Sequence, residues 1–194
     1  MEDGIKHVNK GTGAGGKNTN ITGKAFEKIT DMQDWLIKRN FKVVNNEFCT
    51  SSFLEYIDKK ISIQHFTQYS FQQYILKKFN IHFDFLPDCA FIITDKKSNI
   101  INIRILEKKT QNGEGSVDTK LFGAPTLKKI YQEKYFGDKF NVNYAYIVND
   151  YYKDKFNSAT KFMYLKEEFD NVNIKIFYSS DENYFDAIYK WLLE

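Results

Sequence analysis

The amino-acid sequence predicts an α/β fold, in which a mixed β-sheet is flanked by helices. The first observation is that β-rich apolar runs alternate with segments of helical periodicity in the second half of the chain. The second is that two of these runs are separated only by the polar cluster 95–99, which is typical of a hairpin. The third is size. The 194 residues, 42% hydrophobic and 27% charged, suffice for one domain with its own core and argue against general disorder.

The first part of the chain is predicted to be a flexible, glycine-rich arm over residues 1–22, followed by a single domain over residues 23–194. Six of the ten glycines fall within the first 23 residues, where few apolar residues could form a core. Thr22 is then placed to begin a helix over 23–39, in which Phe26 and Leu36 recur at helical spacing.

The middle of the chain gives fewer signals. Residues 41–44 are interpreted as a short strand, and within 53–85 only 66–79 is predicted to be helical. The clearest elements come later, as the strands of the hairpin and then alternating helices and strands. Strands are predicted over 88–94, 100–107, 142–148 and 172–178, and helical segments over 125–135, 153–169 and 183–193.

Charge and cysteine content limit the class of protein. Lys+Arg 28 against Asp+Glu 25 gives a formal net charge of +3, which is compatible with a polyanionic partner without demonstrating one. Cys49 and Cys89 are far apart, which argues against a disulfide framework or a structural zinc site and favours a cytoplasmic location. The longest apolar run, 89–93, is too short to span a membrane, so no membrane association is expected.

The hairpin brings charged residues together. If its turn is centred between Lys97 and Ser98, Asp88 faces Glu107 at the open end, and Lys109 lies on the same face as Glu107. Two carboxylates with a neighbouring ammonium could hold Mg²⁺ and serve phosphodiester hydrolysis. In the alternative interpretation, these residues are simply solvated ends of strands.

The pair Pro87-Asp88, the hairpin and the triplet Glu107-Lys108-Lys109 together resemble the motif of the PD-(D/E)xK nuclease superfamily, to which many restriction endonucleases belong. The resemblance continues through Thr110-Gln111 and Gly115-Ser116-Val117-Asp118-Thr119-Lys120-Leu121. It implies a restriction-endonuclease-like core. It also implies that Asp88 and Glu107 are ligands of Mg²⁺, helped by the Lys108 carbonyl, and that Lys109 is the catalytic lysine. A glutamate on the first helix often joins such a site, and Glu27 is the candidate; the alternative is a surface acid stabilised by the helix dipole.

Several other polar residues are candidates for contacts with DNA. Lys17 and Asn18 could touch phosphates from the arm, although the arm could equally be plainly disordered. Gln111 could orient the neighbouring lysine, Ser116 could cap the turn that carries Lys120, and Lys120 could lie at a phosphate-contacting rim or on a solvated helix face.

The segment 11–18 approaches the P-loop pattern, but Asn18 stands where the hydroxyl residue belongs, and no apolar strand precedes it. No nucleotide cofactor is therefore expected. The favoured function is an Mg²⁺-dependent, sequence-specific endodeoxyribonuclease of the type II restriction class that acts on double-stranded DNA as a homodimer. The alternatives are a repair or phage-type nuclease of the same fold and a non-catalytic DNA-binding protein.

Overall fold

The computed structural model describes residues 17–113 and 115–194, with side chains described from Gly23 onward. Within these residues seven strands form one sheet, and their order across the sheet is their order along the chain. The strands are β1 (Lys42–Val44), β2 (Phe53–Ile57), β3 (Ile61–Thr67), β4 (Cys89–Asp95), β5 (Ile101–Lys109), β6 (Phe140–Val148) and β7 (Ile174–Tyr178).

The sheet is mixed. Each neighbouring pair from β1 to β5 is antiparallel, whereas β5 pairs with β6 and β6 with β7 in parallel. Parallel neighbours require long crossover connections, which helices supply here. The α/β class predicted from the sequence, with a mixed sheet flanked by helices, is therefore confirmed.

Helices cover both faces of this sheet. They are α1 (Lys17–Ile29), α2 (Gln33–Lys38), α3 (Gln68–Phe79), α4 (Ser116–Phe122), α5 (Ala124–Ile130), α6 (Asp150–Ser158), α7 (Thr160–Asn171) and α8 (Tyr184–Leu193). A π-helical turn, Tyr131–Phe136, and a short 3₁₀ turn, Gly137–Lys139, join α5 to β6.

Two apolar cores result, because successive side chains of a strand point to opposite faces. In β4, Ala90 and Ile92 pack under α3 to α7, while Phe91 and Ile93 pack under α1, α2 and α8. Burial on both faces explains why the central strands read as continuous apolar runs. The charged residues that end β5 interrupt this pattern.

Two expectations for the N-terminal half were wrong. The first helix begins at Lys17, so Thr22 lies inside it rather than at its cap, and the expected helix over 23–39 is two helices. The chain turns after Ile29, where the Thr30 hydroxyl donates to the Phe26 carbonyl and Asp31 accepts the Gln33 N–H. The rest of the predicted arm, residues 1–16, lies outside the described residues.

Strands β2 and β3 were not predicted. Both lie in the stretch 53–85, where polar and aromatic residues alternate without a clear turn signal. Among residues 17–113 and 115–194, no helix is both long and apolar enough to cross a membrane.

Candidate active site

The open end of the β4–β5 hairpin gathers the predicted charged residues. Cys89 pairs with Leu106 in the antiparallel register, which confirms the predicted turn and puts Asp88 and Glu107 at adjacent positions just beyond. Ile105, Glu107 and Lys109 share one face of β5 because they alternate along it. The register between β4 and β5, two of the most buried strands, therefore fixes the positions of these residues.

The Lys109 ammonium bridges the two carboxylates. Its Nζ lies 3.0 Å from Asp88 Oδ2 and 2.6 Å from Glu107 Oε2. The three side chains are only 17%, 16% and 12% exposed, in the order Lys109, Asp88, Glu107. Two carboxylates thus surround one cation in a largely dehydrated site, where charge interactions are stronger than in water.

Burial and the charges of their neighbours shift the pKa values of the three groups. Burial raises the pKa of Glu107 to about 7, since Lys109 only partly offsets the desolvation and Asp88 adds to it. For Asp88, burial also opposes ionisation, but the Lys109 ammonium and the Lys108 N–H outweigh it and hold the pKa below its ordinary value. Burial likewise disfavours charge on Lys109, but its two carboxylate partners raise its pKa. Lys109 therefore remains an ammonium at neutral pH.

Asp88 is held from both sides. Its Oδ2 accepts the Lys108 N–H at 2.7 Å, and its Oδ1 accepts the Gln68 side-chain amide at 3.3 Å. Gln68 opens α3, which follows directly from β3. Sequence reasoning missed Gln68, since its stretch gave no sheet signal, and only the β3–β4 pairing, in which Thr67 faces Cys89, brings it to the site.

Glu107 is surrounded by tyrosines. Tyr146 is its pairing partner on β6, and Tyr131 and Tyr144 are near enough for its charge to raise the pKa of each, after the larger effect of their own burial. All three rings are almost completely buried. They account for the dehydration that raises the pKa of Glu107. Nothing in the sequence pattern distinguishes them from ordinary core aromatics.

A cleft of about 590 Å³ opens beside Asp88. Helix α1 lines the cleft with Glu27, and the start of α3 lines it with Gln68. Glu27 thus faces the same space as Asp88. Among the described residues, however, no three His, Cys, Asp or Glu side chains come together closely enough to hold a metal ion. Lys108 connects α1 to the site, because its Nζ donates to the Glu27 carbonyl at 3.4 Å.

The loop after β5 is tied down by Gln111. Its side-chain oxygen accepts the Val117 N–H at 3.2 Å, and its side-chain amide donates to the Gly113 carbonyl. Asn149, after β6, donates to the Gln111 carbonyl at 2.9 Å. Gln111 therefore does the capping that was expected of Ser116, which makes no capping hydrogen bond at the start of α4.

The other predicted DNA contacts belong to α4 and to the beginning of α1. Lys120 and Ser116 are exposed on α4. The side chains of Lys17 and Asn18 lie outside the described side chains, although the backbone of both belongs to α1.

No protein-family model matches the chain, and no curated protein matches it significantly. Among solved structures, the chain is similar to MunI restriction endonuclease, whose crystal structure is a complex with cognate DNA. The identity is 13%, the match covers 85% of this chain and 71% of the MunI chain, and the TM-score is 0.32. A TM-score this low carries no argument about function.

Proposed function

We propose that the protein is an Mg²⁺-dependent endodeoxyribonuclease that cuts double-stranded DNA at a specific sequence, as type II restriction enzymes do. The observation that carries the proposal is the bridge from Lys109 to Asp88 and Glu107 at the ends of two paired strands. It joins the three residue types of the PD-(D/E)xK motif, in the order and register that the motif requires. A solvated strand end would not bury three charges against one another.

The donor set fits Mg²⁺. Asp88 and Glu107 are the residues that would hold the ion, since Mg²⁺ in proteins commonly takes one or two carboxylates and keeps the rest of its shell for water and substrate phosphate. The lack of a third acid among the described side chains is compatible with this coordination of Mg²⁺. The two carboxylates already surround a cation, Lys109, so the site favours positive charge. Bound Mg²⁺ would supply Lewis-acid stabilisation and acidify water.

A lysine can play several roles in this chemistry, and the surroundings of Lys109 favour one of them. Because its carboxylate partners raise its pKa, it is a poor base at neutral pH. An ammonium fixed beside the reacting phosphate instead stabilises the negative charge that builds up there. Gln68 and the Lys108 N–H hold the Asp88 carboxylate in a single orientation. Glu27 is proposed to act from the cleft wall.

The DNA contacts and the assembly belong to the same proposal. Lys120 and Ser116, exposed on α4, are proposed to lie along the phosphates, and Lys17 and Asn18 to add contacts from the beginning of α1. Gln111 is proposed to shape the intervening loop. A double-strand cut at a palindrome needs two such sites, which a two-fold homodimer in the cytoplasm would provide.

The experiment is incubation of the purified protein with mixed-sequence duplex DNA in Mg²⁺ and in EDTA. Lys109→Met is the variant expected to be inactive. The matched control is Lys166→Ala, which replaces an exposed lysine on α7. We expect discrete Mg²⁺-dependent fragments from the wild type and the control, and none from Lys109→Met.

Three other outcomes would each contradict one part of the proposal. Fragments without discrete ends would favour a repair or phage-type nuclease over a restriction enzyme. Binding of methylated and unmethylated DNA without any cleavage would leave a non-catalytic DNA-binding protein. Cleavage by Lys109→Met at the wild-type rate would show that Lys109 takes no part in the reaction.

A further inference from the structure

The cleft beside Asp88 has a feature that hydrolysis alone does not use. Tyr69, the second residue of α3, lines it and is 66% exposed. Within residues 23–113 and 115–194, the Tyr69 ring has no aromatic neighbour and its hydroxyl makes no hydrogen bond. A large aromatic ring left open in a concave site offers a face on which a planar group can stack.

Positive charge also lines the cleft. Lys24 and Lys28 are four residues apart on α1, so they lie on one face of the helix, and both are exposed at the cleft. Among the described residues neither lysine side chain makes an ion pair or a hydrogen bond. The carboxylate of Asp88 lies at the same cleft. In the sequence these two lysines have the pattern of an ordinary exposed helix surface, which assigns them no role.

We infer that this cleft binds one strand of DNA next to the scissile phosphate, with Lys24 and Lys28 on the phosphates and the Tyr69 ring stacked on a base that has left the duplex. The inference rests on the proposed nuclease function for the chemistry at Asp88. A cavity of about 590 Å³ suits a ligand of nucleotide size rather than a duplex. Basic side chains that follow a backbone, combined with an exposed aromatic ring, are the combination by which proteins hold single strands.

The test measures binding rather than cleavage. A fluorescent oligothymidine, which cannot pair with itself, is titrated with the full-length protein in EDTA and in Ca²⁺, and anisotropy gives the Kd. Tyr69→Ala is expected to weaken binding about tenfold or more, whereas Tyr69→Phe keeps the ring and nearly all of the affinity. Tyr164→Ala removes a ring that is 60% exposed on α7, away from the cleft, and is the matched control.

The role of the two lysines is tested by the dependence of the binding constant on salt concentration. For single strands the slope of log K against log salt is about 0.7 per phosphate contact, so the double variant Lys24→Ala/Lys28→Ala should reduce it by about 1.4. An unchanged slope, an equal loss for Tyr164→Ala and Tyr69→Ala, or no oligothymidine binding by the wild type in either buffer would each overturn the inference.

The two proposals fail separately. If the wild type cuts duplex DNA while Tyr69→Ala binds oligothymidine normally, the cleft assignment is wrong and the nuclease stands. If Tyr69→Ala weakens binding but the wild type cuts no DNA, the strand-binding cleft stands and the nuclease is wrong.

Discussion

Replacing Lys109 by methionine should destabilise the protein in the absence of metal. Methionine retains much of the side-chain volume but leaves Asp88 and Glu107 without the ammonium that lies 3.0 Å and 2.6 Å from them. Removing one partner of a buried ion pair costs about 3–5 kcal/mol, because the remaining charge is left uncompensated. For a chain of this size, about 2–4 °C of Tm is lost per kcal/mol, so we expect Tm to fall by about 6–20 °C.

The assay is thermal unfolding in EDTA at pH 8, followed by circular dichroism. The matched control is Lys153→Met, because the ion pair between Lys153 and Asp181 is 38% and 48% exposed and exposed ion pairs contribute little to stability. The loss in Lys109→Met should shrink at pH 5, where Glu107 can protonate and no longer needs a cation. Mg²⁺ should raise the Tm of Lys109→Met more than that of the wild type. Equal Tm values for Lys109→Met and wild type at pH 8 would refute the view that the ammonium compensates these carboxylates.

Three further predictions concern neighbouring parts of the fold. His65 is buried, and burial lowers its pKa to about 4, so the folded state favours the neutral imidazole. As the pH falls from 6.5 to 4, the free energy of unfolding of the wild type should therefore decrease by about 3 kcal/mol relative to that of His65→Phe, as measured by urea unfolding. A parallel pH dependence in both proteins would contradict this. Gln68→Ala should weaken Mg²⁺ binding about tenfold in calorimetry by freeing Asp88 Oδ1, and an unchanged Kd would exclude that positioning role. Asn149→Ala should lower the free energy of unfolding by about 1–2 kcal/mol, because two hydrogen bonds to the Gln111 backbone are lost. A smaller decrease in urea unfolding would show that other contacts hold the loop.

The hairpin could be predicted because its signals are local. The polar cluster between β4 and β5 fixes the turn, and the turn fixes the register that sets Asp88 beside Glu107. Lys109 follows from the alternation of side chains alone. These residues are close in sequence, so no knowledge of distant parts of the chain is needed.

The surroundings of the hairpin depend on contacts between distant segments. Gln68 reaches Asp88 only because β3 pairs with β4, and β3 has no pattern that distinguishes it from the rest of 53–85. Tyr146 reaches Glu107 through a parallel pairing across a crossover of more than one helix. The early start of α1 was missed because glycine and asparagine lower helix propensity, whereas Phe26 is buried against the sheet and packing supports the helix.

The charge of the site links metal and DNA binding. With Lys109 protonated and both carboxylates ionised, the cluster carries one net negative charge and repels phosphate; partial protonation of Glu107 near neutral pH lessens this without making the cluster positive. A divalent cation reverses the sign. DNA should therefore bind more tightly in Ca²⁺ than in EDTA, and by reciprocity the same factor should appear in the affinity for Ca²⁺ when DNA is present. Asp88→Asn removes one negative charge, so its affinity for DNA in EDTA should rise towards that of the wild type in Ca²⁺. An affinity of the wild type that is the same in both buffers would mean that the strand does not approach these carboxylates at all.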